Sequence, residues 1–487
     1  MKQILFLIIN IISINIYAQD EYIYEVATTD DELFVDVLEN ADSSIYVLGW
    51  QRYYSSNELT PKSIIKHIDN DGNLLSSIDL TDFSEKTYLI KMIKIDSNIY
   101  AFGSSKNVKG IDNIIIKFDL QFIEVERKHF FLDTNLADRY LTSLKLVDSC
   151  FYIISVDTYI APIYKSTFSI LKVNNNLDSI ASFSALPYSG FAYDAIDDKN
   201  GGIKVFTYLY KLPGYGQVAH FDKNLNELSV DTLPDLLHYN NNSMWLTDTT
   251  FLVTGTTEYI RDSIYVPYYY DWDMGIIVLD TNNNQLDYSI QIRRHGDENP
   301  GWSQNIVRSK SNGYYFVGTQ NQAGMSDTSK VILTKLDSVF NIIWEKTIWD
   351  GISSFEAAGL YILQDTSLIL LVRKYESQSN FFCDALVYKI SKEGSVLSTT
   401  NIGKQRIGRL NIFPNPAIDY INIATLDGVN QIVDYKIYDM QGKLIMSDKS
   451  FSNTVKINTS HFISGNYIVV ANTFKGSRLS AKFIIKK

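Results

Sequence analysis

The stretch with most to offer a ligand is residues 258–273, read as a long loop linking two strands, with the sequence Glu-Tyr-Ile-Arg-Asp-Ser-Ile-Tyr-Val-Pro-Tyr-Tyr-Tyr-Asp-Trp-Asp. It sets the rings of Tyr259, Tyr265, Tyr268, Tyr269, Tyr270 and Trp272 beside Asp271 and other carboxylates. Aromatic rings flanked by carboxylates suit carbohydrate, because the C–H face of a sugar packs on a π face while its hydroxyls find acceptors. The next link, 293–303, adds Arg294, His295 and Trp302, and the loop residues Arg52, Tyr53 and Tyr54 stand at a corresponding place earlier in the chain. The same composition also suits loops that fold on themselves, since exposed patches signal function only when large and contiguous.

Motifs for other chemistry are missing. The histidines (His67, His129, His220, His238, His295 and His461) are scattered, with no paired ligand spacing and no His-Glu-x-x-His. Asp69-Asn70-Asp71-Gly72-Asn73 hints at calcium, which wants carboxylate and carbonyl oxygens. A calcium loop needs its glycine sixth and a Glu six residues on, whereas Gly72 is fourth, so a hairpin turn explains the run better. The chain has no nucleophile elbow, phosphate loop or dinucleotide fingerprint. Glycosidase chemistry needs two carboxylates about 5–10 Å apart, which no sequence displays. The reading is therefore a binding protein for glycans or proteins, with no cofactor and no metal. The alternative is a carbohydrate- or peptide-degrading hydrolase with its site at the mouth of the fold described next.

The elements that must position these residues repeat. Residues 92–130 read as four strands in two hairpins: apolar runs around Ile93, Ile99, Ile115 and Val125, broken at Asp96-Ser97-Asn98 and Asp119-Leu120-Gln121. Second-strand anchors recur at Ser44, Asn98, Cys150, Gly202, Thr250, Gly313 and Ser367, a step of about 50–60 residues. Third-strand anchors at Ser63, Asn113, Phe168, Gly216, Gly275, Lys330 and Asp384 step with them. A four-stranded repeat of this length is the signature of propeller blades. Residues 20–405 are thus expected to form a seven-bladed β-propeller, with six or eight blades the alternatives. Stacking such sheets in a ring buries faces that one sheet leaves wet. Residues 21–27 are expected to add an outer strand that locks the ring. The kelch double glycine and the sialidase Asp box are absent, and Trp-Asp after an Ile run occurs once, at Trp349-Asp350.

The two ends carry an address. After Met1-Lys2 comes an apolar run at 4–16, too short to span a bilayer, then Ile16-Tyr17-Ala18. This reads as an export signal, residues 1–18, and no other run is long and apolar enough to cross a membrane, so the mature chain is expected not to be an integral membrane protein. From residue 408 the texture changes to short strands in the pattern of a small β-sandwich. Pro414-Asn415-Pro416, then Asp439 and Gly442 in Ile-Tyr-Asp-Met-Gln-Gly-Lys, then Gly465 and Tyr467 in Phe-Ile-Ser-Gly-Asn-Tyr, and a basic end stand in order. This run resembles the C-terminal sorting domain (type A) of the type IX, or Por, secretion system. The resemblance covers residues 408–487 and nothing upstream. It implies a Gram-negative host, export through the periplasm and across the outer membrane, the type IX machinery as partner, and a mature protein released or attached at the cell surface.

Composition agrees with this reading. At 487 residues and 45% apolar, the chain can bury more than one core. Its net charge of −11 argues against nucleic acid and anionic lipid as main partners. Cys150, in a turn of the third repeat, and Cys383, at the start of the third strand of the seventh, fall on opposite faces of the expected ring and are read as free thiols.

Overall fold

The structure is a computed structural model that describes residues 24–26, 31–55, 58–80, 86–107, 110–130, 136–159, 165–185, 190–208, 216–233, 239–261, 269–287, 291–292, 298–320, 329–351, 353–375, 383–395, 407–425, 431–439, 443–473 and 478–487. Among these residues there is no helix, and every element is a strand or a turn. The chain divides into two compact units, Met1–Thr399 and Thr400–Lys487.

Among the described residues the first unit holds seven small antiparallel sheets. Sheet one is Asp31–Glu39, Ile45–Ser55, Glu58–Ile68 and Leu74–Asp79; sheet two is Lys86–Ile95, Asn98–Asn107, Gly110–Asp119 and Glu124–Phe130. Sheet three is Leu136–Val147, Cys150–Tyr159, Lys165–Asn174 and Ser179–Ser184; sheet four is Phe191–Asp197, Ile203–Tyr208, Gly216–Phe221 and Glu227–Thr232. Sheet five is Tyr239–Trp245, Thr250–Arg261, Tyr269–Asp280 and Gln285–Asp287, with Gln291–Ile292 beside its third strand. Sheet six is Glu298–Pro300 with Ile306–Arg308, then Tyr314–Gln320, Lys330–Leu336 and Ile342–Ile348. Sheet seven is Ser354–Ile362, Leu368–Tyr375 and Asp384–Ile390, and its fourth strand is Tyr24–Val26, from the other end of the unit.

The turns explain why the strands stop where they do. Between the third and fourth strands an Asp or Asn carboxyl or amide oxygen accepts the backbone N–H groups two and four residues on. Asp69, Asp119, Asn174, Asp222, Asp280 and Asp337 all do this. Ser391 does it in sheet seven. The side chain thus replaces the ladder bonds that end there.

Each first strand carries one extra residue at the same height: Val35, Ile90, Thr142, Tyr193, Asn241 and Ala358 fall between paired positions in sheets one to five and seven. The bulge pushes the first strand's backbone toward its neighbour. A Cβ on Gly49 or Gly103 would lie 2.3 Å from the Leu33 carbonyl oxygen or 1.9 Å from that of Tyr88, so only glycine fits there.

Apolar clusters fill the seams between successive sheets. One joins sheets two and three around Phe102, Phe151 and Ile153, the next joins three and four around Ile154 and Phe221, and another joins six and seven around Tyr315 and Leu370. The largest joins sheet one to sheet two and also to sheet seven, with Leu48, Ile65 and Ile116 beside Leu371 and Val387. Sheet seven also touches sheet one through polar groups: Tyr361 Oη donates to the Val35 carbonyl (2.9 Å), and the Glu32 N–H donates to the Cys383 carbonyl (2.8 Å).

Three expectations change. Residues 258–261 and 269–273 are not a loop, because they extend the second and third strands of sheet five as a long paired hairpin. Arg52, Tyr53 and Tyr54 likewise continue a strand, opposite Pro61, Thr60 and Leu59. Alternating aromatic and β-branched residues favour the strand wherever a partner strand can follow. Cys150 opens the strand after the Asp148-Ser149 turn rather than lying in the turn, and neither cysteine is in a disulfide.

The second unit is built from Ile407–Phe413, Tyr420–Thr425, Ile432–Asp439, Leu444–Ser452, Thr454–Asn458, Gly465–Thr473 and Arg478–Ile485. Its first strand runs parallel to the last through residues 407–409, then pairs antiparallel with Tyr420–Thr425 from Leu410 onward. One strand thereby serves two sheets, and Ile421, Ile437, Phe462, Val469 and Phe483 share the single core between them.

Candidate functional site

Sheet six breaks the repeat. Where the other first strands carry one bulged residue, residues 301–304 intervene here between Pro300, opposite Gly318, and Asn305, whose carbonyl accepts the Val317 N–H. The insertion is tightly held. The Gly301 N–H donates to the Val317 carbonyl (3.1 Å), the Ser303 N–H to the Ala358 carbonyl (2.7 Å), and the Leu360 N–H to the Gln304 carbonyl (2.6 Å). From sheet five, Asn242 Nδ2 donates to the Ser303 carbonyl (3.0 Å). With its backbone satisfied on both sides, the segment holds Trp302 outward, 59% exposed.

The Arg373 guanidinium lies 4.9 Å from the centre of the Trp302 ring. Arg373 Nη1 donates to Glu356 Oε2 (3.3 Å), and Tyr375 Oη donates to the same oxygen (3.1 Å). Register explains the cluster, since Glu356 is opposite Arg373 and Ser354 opposite Tyr375 on adjacent strands of sheet seven. Burial, helped by the charge of Glu356, pushes the Tyr375 phenol well above its ordinary range. Burial alone would lower the Arg373 guanidinium, but Glu356 outweighs it and raises it. The phenol and guanidinium therefore stay protonated and act as donors to one carboxylate. Such a cluster fixes an aromatic platform; the cation–π contact is worth roughly 0.5–2 kcal/mol.

Polar groups on the first strands continue around this point. The residue after each bulge includes Asp36, Lys91, Ser143, Asp194 and Asn242. Buried Asp36 accepts from Lys91 Nζ (2.7 Å) and from the Met92 N–H (2.6 Å) of sheet two. Asp194 accepts from Ser143 Oγ (2.6 Å) and Lys145 Nζ (3.0 Å) of sheet three and from the Ser243 N–H (2.6 Å) of sheet five. Tyr361, whose phenol is raised by burial and then by Asp36, has its ring 5.4 Å from the Lys91 amine and its oxygen 3.4 Å from Ser303 Oγ. These bonds join neighbouring sheets at one height and give the platform a rigid base.

Of the residues singled out in the sequence, Trp302 stands in this cluster, in the insertion between the two pieces of the first strand of sheet six rather than in a link between sheets. Tyr259 is opposite Asp271, and Tyr269, Tyr270 and Trp272 are opposite Arg261, Ile260 and Glu258 in the sheet-five hairpin. Tyr265, Tyr268, Arg294 and His295 lie outside the described residues. Among the described residues no group of three His, Cys, Asp or Glu side chains could hold a metal ion. Asp69, in the run that hinted at calcium, spends its carboxylate on the N–H groups of Asp71 (2.9 Å) and Asn73 (2.7 Å) and on Asn73 Nδ2 (2.9 Å). Sequence reasoning missed Glu356, Arg373 and Asp36. The available signal was a charged residue inside an otherwise apolar strand, as in Leu-Phe-Val-Asp-Val-Leu and Phe-Glu-Ala-Ala.

In the second unit the motif residues meet. Asn415 Oδ1 accepts the Ile484 N–H (2.9 Å), while the Ala417 N–H donates to the Ile484 carbonyl (2.8 Å) and the Lys486 N–H to the Ala417 carbonyl (2.9 Å). The Pro414-Asn415-Pro416 turn is thus pinned on the basic last strand. Asp439 receives the Lys443 N–H (2.9 Å), closing the turn whose Gly442 lies outside the described residues. Tyr467, at the strand opened by Gly465, stacks on Phe483 at 5.6 Å and donates to the Ile463 carbonyl (2.9 Å).

Comparison with known proteins separates the units. No curated protein matches the chain. Among solved structures, the chain is similar to an ulvan lyase of a polysaccharide lyase family, with TM-score 0.45 and 11% identity over 76% of this chain and 97% of that one. It is also similar to an exo-β-1,3-galactanase from Phanerochaete chrysosporium, with TM-score 0.33 and 11% identity over 70% and 94%. A β-fructofuranosidase from Bombyx mori gives TM-score 0.32 and 9% identity over 94% and 79%. Likenesses this distant carry no argument about activity. Residues 411–486, in contrast, match the family described as "Secretion system C-terminal sorting domain". With the Pro-Asn-Pro turn and Tyr467 placed as above, the chain ends in a type IX secretion sorting domain and is a cargo of that export route.

Proposed function

We propose that residues 20–405 close into a seven-bladed β-propeller that recognises carbohydrate at the Trp302 platform, as a released or surface-attached cargo of a Gram-negative bacterium. On this reading residues 1–18 are a cleaved export signal and residues 408–487 the sorting module. Closure is supported by the strand Tyr24–Val26 completing sheet seven and by the core that sheet one shares with sheet seven. The platform is carried by one observation: where a four-residue insertion replaces the single bulge among the described first strands, that insertion, bonded to sheets five and seven, holds an exposed tryptophan against a partly buried arginine paired with a buried carboxylate. Departures from an otherwise regular plan concentrate at functional sites. Tyr269, Tyr270 and Trp272, in the hairpin of the adjacent sheet five, are proposed to extend the platform.

The test is a glycan and protein binding screen of the purified full chain beside W302A. Truncating an exposed aromatic anchor should cost about 1–3 kcal/mol of binding, a loss of roughly five- to 150-fold. The melting temperature should hardly move, because an exposed side chain away from the core contributes little to stability. Unchanged binding by W302A to every ligand of the wild type would overturn the platform.

A further inference from the structure

We infer that the ligand of this platform is an uncharged carbohydrate built from hexopyranose units with a continuous C–H face, such as glucose or galactose units, and not an acidic polysaccharide. This rests on the reading of Trp302 as a carbohydrate platform and adds the chemistry of what stacks on it.

The first argument is the state of the ring. Arg373 lies over Trp302, yet the side chain remains 59% exposed, so the indole keeps an open surface for a ligand. A π face attracts the weakly positive C–H groups of a pyranose and repels carboxylate and sulfate oxygens.

The second argument is charge. Recognition of uronates or sulfates calls for arginine or lysine with donors to spare, ideally a guanidinium fork presented in two-point geometry. Beside the platform and next to the bulges of sheets one to four, three cations carry carboxylate partners. Arg373 is 3.3 Å from Glu356, Lys91 is 2.7 Å from Asp36, and Lys145 is 3.0 Å from Asp194. Arg373 faces the ring, its Nη1 is spent on Glu356, and its Nε, which has no hydrogen-bond partner among the described residues, is buried away from an incoming anion. Taking any of these cations for a ligand anion would deprive a buried carboxylate of its opposite charge and leave only neutral donors to offset its desolvation. The net charge of −11 adds a long-range repulsion toward polyanions. A neutral sugar meets none of these costs. Its hydroxyls need hydrogen-bond partners, and paired charges supply them without net field.

The third argument is rigidity. The insertion at 301–304 is bonded to sheets five and seven, so Trp302 is positioned before the ligand arrives. A preset aromatic surface binds a repeating neutral polymer with little ordering cost.

The experiment is calorimetric titration of the full chain, W302A and W302F with laminarihexaose, cellohexaose and β-1,4-galactan on one side, and polygalacturonate and dextran sulfate on the other. Each is run at about 50 mM and about 500 mM NaCl, a range that shortens the screening length several-fold. The expected result is binding of at least one neutral glycan that changes less than twofold with salt, drops at least fivefold in W302A and is partly kept in W302F. Binding confined to a polyanion, lost at high salt and dependent on Trp302, would overturn the uncharged ligand while leaving the platform standing. If no glycan of either kind binds in a manner dependent on Trp302, in variants that melt like the wild type, the platform itself fails and this inference falls with it.

Discussion

Arg139 and Asp157 face each other across the first two strands of sheet three, joined by Nε to Oδ1 at 2.6 Å and Nη2 to Oδ2 at 2.9 Å, both about 1% exposed. The third nitrogen, Nη1, is buried with no hydrogen-bond partner. A buried pair returns little net stability, because desolvating two ions costs about what their attraction gives back. Losing one partner is another matter, since it leaves an isolated buried charge. D157A is therefore expected to lower stability in chemical denaturation by about 3–5 kcal/mol, and R139L/D157L by far less. Equal losses in the single and double variants would show that the site is sensitive to shape and not to charge. Such pairs were not legible beforehand. Arg139 and Asp157 stand eighteen residues apart in unremarkable strand sequence, and only the register, shifted by the bulge at Thr142, brings them together. Trp302 was legible by its type, whereas Glu356 and Arg373 came to light only with the pairing of their strands.

Strands and turns were more legible, because each repeat states them again. The spacing of Asp222 to Asn226 or Asp337 to Asn341 marks a turn, and the Asn side chain returns a bond to the second carboxylate oxygen at 2.9 Å in both. The fourth turn residue was not foreseen. It has positive φ in every repeat and is glycine at Gly72 and Gly394, but Phe122, Leu177 and Leu225 hold φ near 60°. Their side chains are 5%, 0% and 5% exposed, and burying a Leu or Phe yields about 1.5–3 kcal/mol against roughly 1–2 for the left-handed backbone. Burial outweighs strain.

The same turns set an acid response. The Asn226 amide holds the Asp222 carboxyl below its usual range, and Asn284 and Asn341 do so for Asp280 and Asp337. A carboxyl whose pKa is lower in the folded chain contributes stability that is complete above its unfolded pKa and disappears as pH falls through the folded value. The window lies below about pH 4. Asn174 already fills the equivalent position, accepting the N–H groups of Asn176 and Asp178 with its amide oxygen. D222N/D280N/D337N should thus keep its turns, melt near the wild type at neutral pH, and lose stability less steeply on acidification. An acid limb as steep as that of the wild type would show that other carboxylates control it.

At the scale of the whole first unit, the count of sheets was readable because two anchors per repeat advance together. The outer strand expected at 21–27 is present as Tyr24–Val26, with Tyr24, Glu25 and Val26 opposite Val387, Leu386 and Ala385. Its place matters more than its length. It covers the edge of Asp384–Ile390, and Tyr24 packs on Phe34 of sheet one at 6.3 Å, so one short segment supports both the last sheet and its seam with the first. Joining elements more than 300 residues apart costs little more than joining near ones, because closure entropy grows only with the logarithm of length. An uncovered edge, by contrast, is a template for pairing between chains. A chain beginning at Thr28 is therefore expected to melt several degrees below the wild type and to self-associate in sedimentation. Y24A, which keeps the backbone strand but removes the half-buried ring, should lose about 1–2 kcal/mol and stay monomeric. If the shortened chain melted like the full one and remained monomeric, the segment would be an ornament on sheet seven, and the seam between sheets one and seven would hold without it.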